Sequence, residues 1–145
     1  MRTALTLWCL FICLAASSQK FIDPTGSYRL NVKSREKNGE IFGWFGDIKV
    51  KLLDSNRLAM SFFICRGAPS YNSGSFADTL VYRNNTAVYE KECKVTFTFS
   101  GKYIQVKEEP EAGRGTCWGY GVYAFGPYKK YAAKPPVIRH PLTGE

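Results

Sequence analysis

The chain has 145 residues, of which 45% are hydrophobic, 15% aromatic and 22% charged. That is the composition of one globular domain and excludes a disordered or low-complexity protein. Twenty Lys and Arg against 12 Asp and Glu give a formal charge of +8, which favours acidic partners without specifying one.

In chain order, Met1-Arg2 supplies a positive start, residues 5–16 an apolar run, and Ala16-Ser17-Ser18 a set of small residues. This is the pattern of a secretory signal peptide, residues 1–18, cleaved after Ser18. A membrane anchor would need about 20 apolar residues. A lipidated Cys13 would follow small residues, where Phe11 and Ile12 stand. Cleavage removes Arg2, Cys9 and Cys13 and leaves 127 residues, a charge of +7, and Cys65, Cys93 and Cys117. Three cysteines in an oxidising compartment predict one disulfide and one further thiol.

Residues 19–134 form a single expected domain with the period-two pattern of half-buried strands. Tyr28, Leu30 and Val32 alternate with Arg29, Asn31 and Lys33, and Ile48, Val50 and Leu52 alternate with Asp47, Lys49 and Lys51. Leu58, Met60, Phe62 and Ile64 share one face. Further strands are predicted over residues 76–82, 86–89, 93–99, 103–107 and 121–125, giving about eight strands and no helix. Asp54-Ser55-Asn56, Asn84-Asn85 and Ser100-Gly101-Lys102 are tight-turn sequences, and strand alternation puts all three at one end. Residues 34–40, 66–75, 90–92 and 108–120 then crowd the other end. The expected fold is all-β, an antiparallel up-and-down meander closing into a small barrel, with Gly43 and Gly46 permitting the bend around Trp44-Phe45. Residues 135–145, with Pro135-Pro136 and Pro141, are expected to be an extended tail with little fixed structure.

The same alternation puts Cys65, Cys93 and Cys117 near the long-loop end. Cys93 is in phase with inward Val95 and Phe97, whereas Cys65 is out of phase with its inward neighbours. A Cys93–Cys117 disulfide is therefore predicted, and closing that loop would stabilise the fold by about 3 kcal/mol. Cys65 is left as a buried thiol, a dimerising thiol or a replacement for Cys117 in the bridge. No metal or cofactor is expected, because the cysteines are unclustered and the single His140 lies in the Pro-rich tail.

Cys93-Lys94-Val95-Thr96-Phe97-Thr98-Phe99, Ile104-Gln105-Val106 and the run from Cys117-Trp118-Gly119-Tyr120-Gly121-Val122 to Gly126-Pro127-Tyr128-Lys129-Lys130 carry a resemblance. They resemble the C-terminal half of small exported bacterial two-Cys β-domain proteins of unassigned function, which end in a Cys-x-Gly-x-Gly-Val segment closing on Gly-x-Tyr-x-Lys. Residues 67–74 and Asp78-Thr79-Leu80-x-Tyr82 look like the middle of the same group, so the resemblance spans about half the mature chain. It implies export and a two-Cys β-domain and no particular activity. Ser100-Gly101-Lys102-Tyr103 is loosely similar to the inhibitory loop of periplasmic lysozyme inhibitors, one residue out of the usual spacing, and reads equally as a hairpin turn. A basic lysozyme would also repel a chain of charge +7.

Catalysis is not expected. His140 has no partner for base chemistry, Glu108-Glu109 and Glu111 around Pro110 read as a solvated acidic loop, and Asp47 and Asp78 read as outward charges or turn caps. Asn84-Asn85-Thr86 matches a glycosylation sequon that the tight turn explains by itself. Binding is better supported, since Arg66, Tyr71, Asn72, Arg114, Trp118 and Tyr120 gather on the long loops and include the residue types that anchor interfaces. Trp118 has two readings, a binding anchor pinned by the disulfide or a plug in the barrel mouth. Lys129-Lys130, Lys134 and Arg139 form a loose basic tail, for which export makes envelope polymers, and not nucleic acid, the expected partners. The expectation is a non-catalytic periplasmic or extracellular protein that binds a protein or an anionic glycan through its long-loop end. One alternative is a lipocalin-like carrier of a small apolar ligand, opposed by inward Phe62, Phe97 and Phe99. Another is an inhibitor or immunity protein against a cell-wall-degrading enzyme.

Overall fold

The computed structural model describes residues 19–91, 93–109 and 117–145. The expected signal peptide, Glu111 and Arg114 lie outside them. The strands are β1 (Gly26–Leu30), β2 (Arg35–Lys37), β3 (Glu40–Asp54), β4 (Arg57–Gly67), β5 (Ser73–Arg83), β6 (Thr86–Glu90), β7 (Lys94–Phe99), β8 (Tyr103–Glu109) and β9 (Tyr128–Ala132). Every pairing is antiparallel, and β3 to β9 follow one another around the sheet before β1. Pairing of β1 with β3, from Gly26↔Val50 to Arg29↔Asp47, closes an eight-stranded barrel. β2 is an extra arm, paired with the first residues of β3 by Arg35↔Phe42 and Lys37↔Glu40.

The alternation read from the sequence is the alternation of burial. Ile48, Val50, Leu58, Met60, Phe62, Ile64, Val95 and Phe97 are all fully buried, while Lys49, Lys51 and Lys94 between them are exposed. Aromatic rings fill the interior: the Phe62 centroid lies 5.5 Å from Phe76, 5.7 Å from Phe97 and 6.2 Å from Tyr128. Burying each such ring contributes about 2–3 kcal/mol. The bend in β3 falls where the glycines allow it, with a register shift between Phe42 and Phe45. Gly46 is also required by space, because a Cβ there would collide with the Phe63 carbonyl and the Tyr128 hydroxyl.

The three tight turns share one end of the barrel, the base. Asn84 and Asn85 both have positive φ, 50° and 55°, as a two-residue hairpin turn of the mirror-image type requires. Residues 20–25 cross this base and close it. Asn85 Oδ1 accepts from the Ile22 amide at 2.9 Å, and its Nδ2 donates to the Lys20 carbonyl at 2.8 Å. The Tyr28 and Tyr82 hydroxyls donate to the carbonyls of Pro24 and Ile22, each at 2.7 Å, and Lys130 Nζ donates to the Thr25 carbonyl at 3.0 Å. Asn85 is thus more than a turn residue. It is buried and fastens the incoming chain.

Three expectations are corrected. The last barrel strand is Tyr128–Ala132, and, among the described residues, 121–125 join the sheet's backbone ladder only by the isolated bridge Lys107↔Phe125. Gly119 and Gly121 take positive φ and turn this segment back over the mouth, where Val122 and Ala124 are buried, so its alternation reports a lid and not a strand. Residues 34–40 are not an open loop: Asn38 and Gly39, both of positive φ, make a tight turn between β2 and β3. The tail lacks regular structure over residues 135–140 but ends in a fixed turn, with His140 Nδ1 accepting from the amides of Leu142 and Thr143, each at 3.3 Å. Among the described residues no helix is long and apolar enough to cross a membrane.

Candidate functional site

The end opposite the base is formed by residues 68–72 between β4 and β5, Lys91 and Cys93, the β2 arm, and the segment from Cys117 to β9. Cys93 and Cys117 form the disulfide, with Cα atoms 5.5 Å apart. Cys65 is a free, buried thiol, its Sγ accepting from the Gly67 amide at 3.4 Å.

Glu108 fastens the returning segment. Ile104 and Val106 point inward, so Glu108, next in that phase, points into the mouth, and an inward carboxylate needs donors. Its Oε1 accepts from the Cys117 amide at 3.2 Å, and its Oε2 from Trp118 Nε1 at 3.0 Å and from the Ala124 amide. The expectation of a solvated carboxylate is therefore corrected for Glu108, which is a structural clasp. Its neighbour Glu109 points outward and pairs with Lys94 at 3.2 Å.

Trp118 occupies the mouth of the barrel. Its ring centroid is 5.5 Å from Phe62, 6.2 Å from Phe76 and 5.9 Å from Tyr89, and the last two rings stack on each other at 4.2 Å. Gly74 is the floor beneath it, because a Cβ there would strike the indole. These rings also join β5 to β6, whose ladder stops after Tyr82↔Ala87 and Arg83↔Thr86. Asp78 and Lys91 bridge the same gap at 2.7 Å. The hydrogen bond from Lys91 holds the Asp78 carboxyl below its ordinary range.

The outer layer contains most of the residues singled out in the sequence. Tyr120 is 90% exposed, yet its carbonyl accepts from Asn72 Nδ2 at 3.0 Å. Arg66 is exposed and its guanidinium lies against Gly121, where a Cβ would crowd it. Tyr71 is 41% exposed, and its hydroxyl accepts from the Ile41 amide at 3.2 Å, which ties the β4–β5 loop to the β2–β3 arm. Arg66, Asn72, Trp118 and Tyr120 thus share one end of the barrel, with Trp118 inside and the others outside. Arg114 lies outside the described residues.

Sequence reasoning missed a second aromatic group. Trp44 lies 4.9 Å from Tyr123 and 5.2 Å from Phe125, ring centroid to ring centroid, and Tyr123 is 47% exposed. Its signal was the alternation of Tyr123 and Phe125 with buried Val122 and Ala124. Among the described residues no three His, Cys, Asp or Glu side chains converge as a metal centre would need. Comparisons of the chain with protein-family models, curated proteins and solved structures return no match.

Proposed function

We propose that the chain is an exported, non-catalytic binding protein whose long-loop end recognises a protein surface or an anionic glycan. The observation that carries this reading is Tyr120, which is 90% exposed on a segment held by a disulfide, by Glu108 and by Asn72. An exposed aromatic ring on a fixed backbone loses little freedom on binding, and Arg66 and Tyr71 beside it are residue types that anchor interfaces. Export is supported by the apolar leader sequence and by the disulfide, which persists in oxidising compartments. The ring-filled interior favours a surface site over the carrier reading.

Binding of the mature protein to an anionic polysaccharide and to envelope protein fractions, at low and moderate salt, tests this reading. The comparison is with Tyr120→Ala/Arg66→Ala, two exposed changes that spare the plug. Binding that survives moderate salt and falls about tenfold or more in the double variant is expected. Equal binding by both proteins would refute the site, and binding abolished by salt for both would reduce it to net charge.

A further inference from the structure

A concavity lies on the flank of the barrel, under the β2–β3 arm. It is a groove open to solvent on one side, with a volume of about 580 Å³, within the range of small-molecule sites. Its floor comes from outward-facing residues of three adjacent strands, Arg29 of β1, Phe45 and Asp47 of β3, and Phe63 of β4, and its wall from Glu36 and Ile41. Arg29↔Asp47 and Asp47↔Phe63 are directly paired, so cation, anion and ring lie in one cross-strand row.

Opposite charges on paired residues would ordinarily neutralise each other, but none of Arg29, Asp47 and Glu36 is in an ion pair among the described residues. Tyr131 holds two of them apart. Its ring lies under the Arg29 guanidinium, 4.7 Å from carbon to centroid, and its hydroxyl donates to Asp47 Oδ2 at 3.1 Å. The other carboxylate oxygen, Oδ1, is sealed from solvent, so Asp47 meets the groove through Oδ2, on which the Tyr131 hydrogen bond leaves a further lone pair unused. Burial raises the Asp47 pKa, so the site carries a cost that a cationic donor would offset. The Phe45 and Phe63 rings, 6.0 Å apart, add an apolar floor beside the charges.

We propose that this groove binds a small zwitterion of amino-acid type, with its carboxylate on Arg29, its ammonium between Asp47 and Glu36, and an apolar side chain on Phe45, Phe63 and Ile41. A simple anion or cation would meet an unfavourable charge on one side of the groove. A ligand carrying both charges meets a partner for each, and bidentate hydrogen bonding suits a guanidinium to a carboxylate.

The test is titration of isotope-labelled protein with L-phenylalanine, N-acetylphenylalanine and phenylalaninamide, read by amide chemical shifts. Saturable shifts at residues 29, 45–47 and 63 are expected for phenylalanine, with each blocked analogue about tenfold weaker. Asp47→Asn, which keeps the side-chain shape, is expected to abolish the preference for a free ammonium, and Arg29→Gln the preference for a free carboxylate. Tyr120→Ala is expected to leave all three titrations unchanged, which separates this groove from the long-loop end. Absence of saturable shifts up to the solubility limit of phenylalanine, or equal binding of the blocked analogues, would overturn the proposal.

Discussion

The two ends of the barrel are closed by different means. At the base, short turns leave little chain, and the stopper is the N-terminal segment, held by hydrogen bonds between its backbone and the side chains of Asn85, Tyr28, Tyr82 and Lys130. At the mouth the stopper is a returning segment held by one disulfide, one carboxylate and one indole. The base distributes its attachment over several hydrogen bonds to backbone, with the exposed Phe21 ring edge-on to Tyr82. The mouth concentrates attachment in Glu108, Trp118 and Cys117, and that leaves the Tyr120 ring exposed, beside an Arg66 guanidinium that lies against Gly121 and a Tyr71 hydroxyl that accepts from the Ile41 amide. A rigid scaffold with one elaborated end is a common way to carry a binding surface.

Removing the indole gives the sharpest break in this comparison. Trp118→Ala is expected to cost about 3 kcal/mol, because it empties the mouth above Gly74 and unstacks Phe76 and Tyr89. Denaturant unfolding measures the loss, and hydrogen exchange should show it first in β5, β6 and the segment from Cys117, with the base still protected. A uniform loss of protection would mean that the two ends are not separable. A smaller effect, about 2 kcal/mol, is expected for Glu108→Gln, since an amide has one acceptor oxygen for three N–H donors. That variant also sharpens the functional reading: if preorganisation of Tyr120 matters, partner affinity should fall although no contact residue has changed.

The antiparallel all-β meander and the disulfide were legible because period-two alternation, a local signal, reports strand phase. Glu108 was legible in principle, being in phase with Ile104 and Val106, but its polar neighbours Glu109 and Glu111 pointed to a solvated loop. The 121–125 segment misled for the opposite reason. Its alternation is real, with Val122 and Ala124 inward, but two glycines of positive φ direct it across the mouth, and the edge of the sheet goes to Tyr128–Ala132, which reads in sequence as a basic tail. The base stopper could not be read at all, because residues 20–25 have no alternation and are held mainly through their backbone groups, which carry no sequence signature. The flank groove escaped for the same kind of reason. Arg29, Asp47 and Tyr131 each look like ordinary outward residues, and only the closure of β1 on β3 and β9 makes them neighbours.

The smallest expected effect tests the base and has a sign that pH can check. Burial pushes the Tyr82 pKa up from 10.0 to about 12, with Asp23 adding to the shift, and burial raises that of Tyr28 as well. A phenol that resists ionisation in the folded state favours folding fully below pH 10.0, and this contribution is lost as pH rises through the window to about 12, where the unfolded chain releases the proton first. Tyr82→Phe removes the hydrogen bond to the Ile22 carbonyl and the contact with Asn85, for an expected loss of about 1 kcal/mol at neutral pH. The variant should also lose stability less steeply than the parent above pH 10, because one titrating group is gone while Tyr28 continues to titrate. Thermal unfolding of both proteins between pH 7 and pH 11 would therefore give curves that converge at the alkaline end. Parallel curves would place Tyr82 in contact with solvent and remove it from the closure of the base.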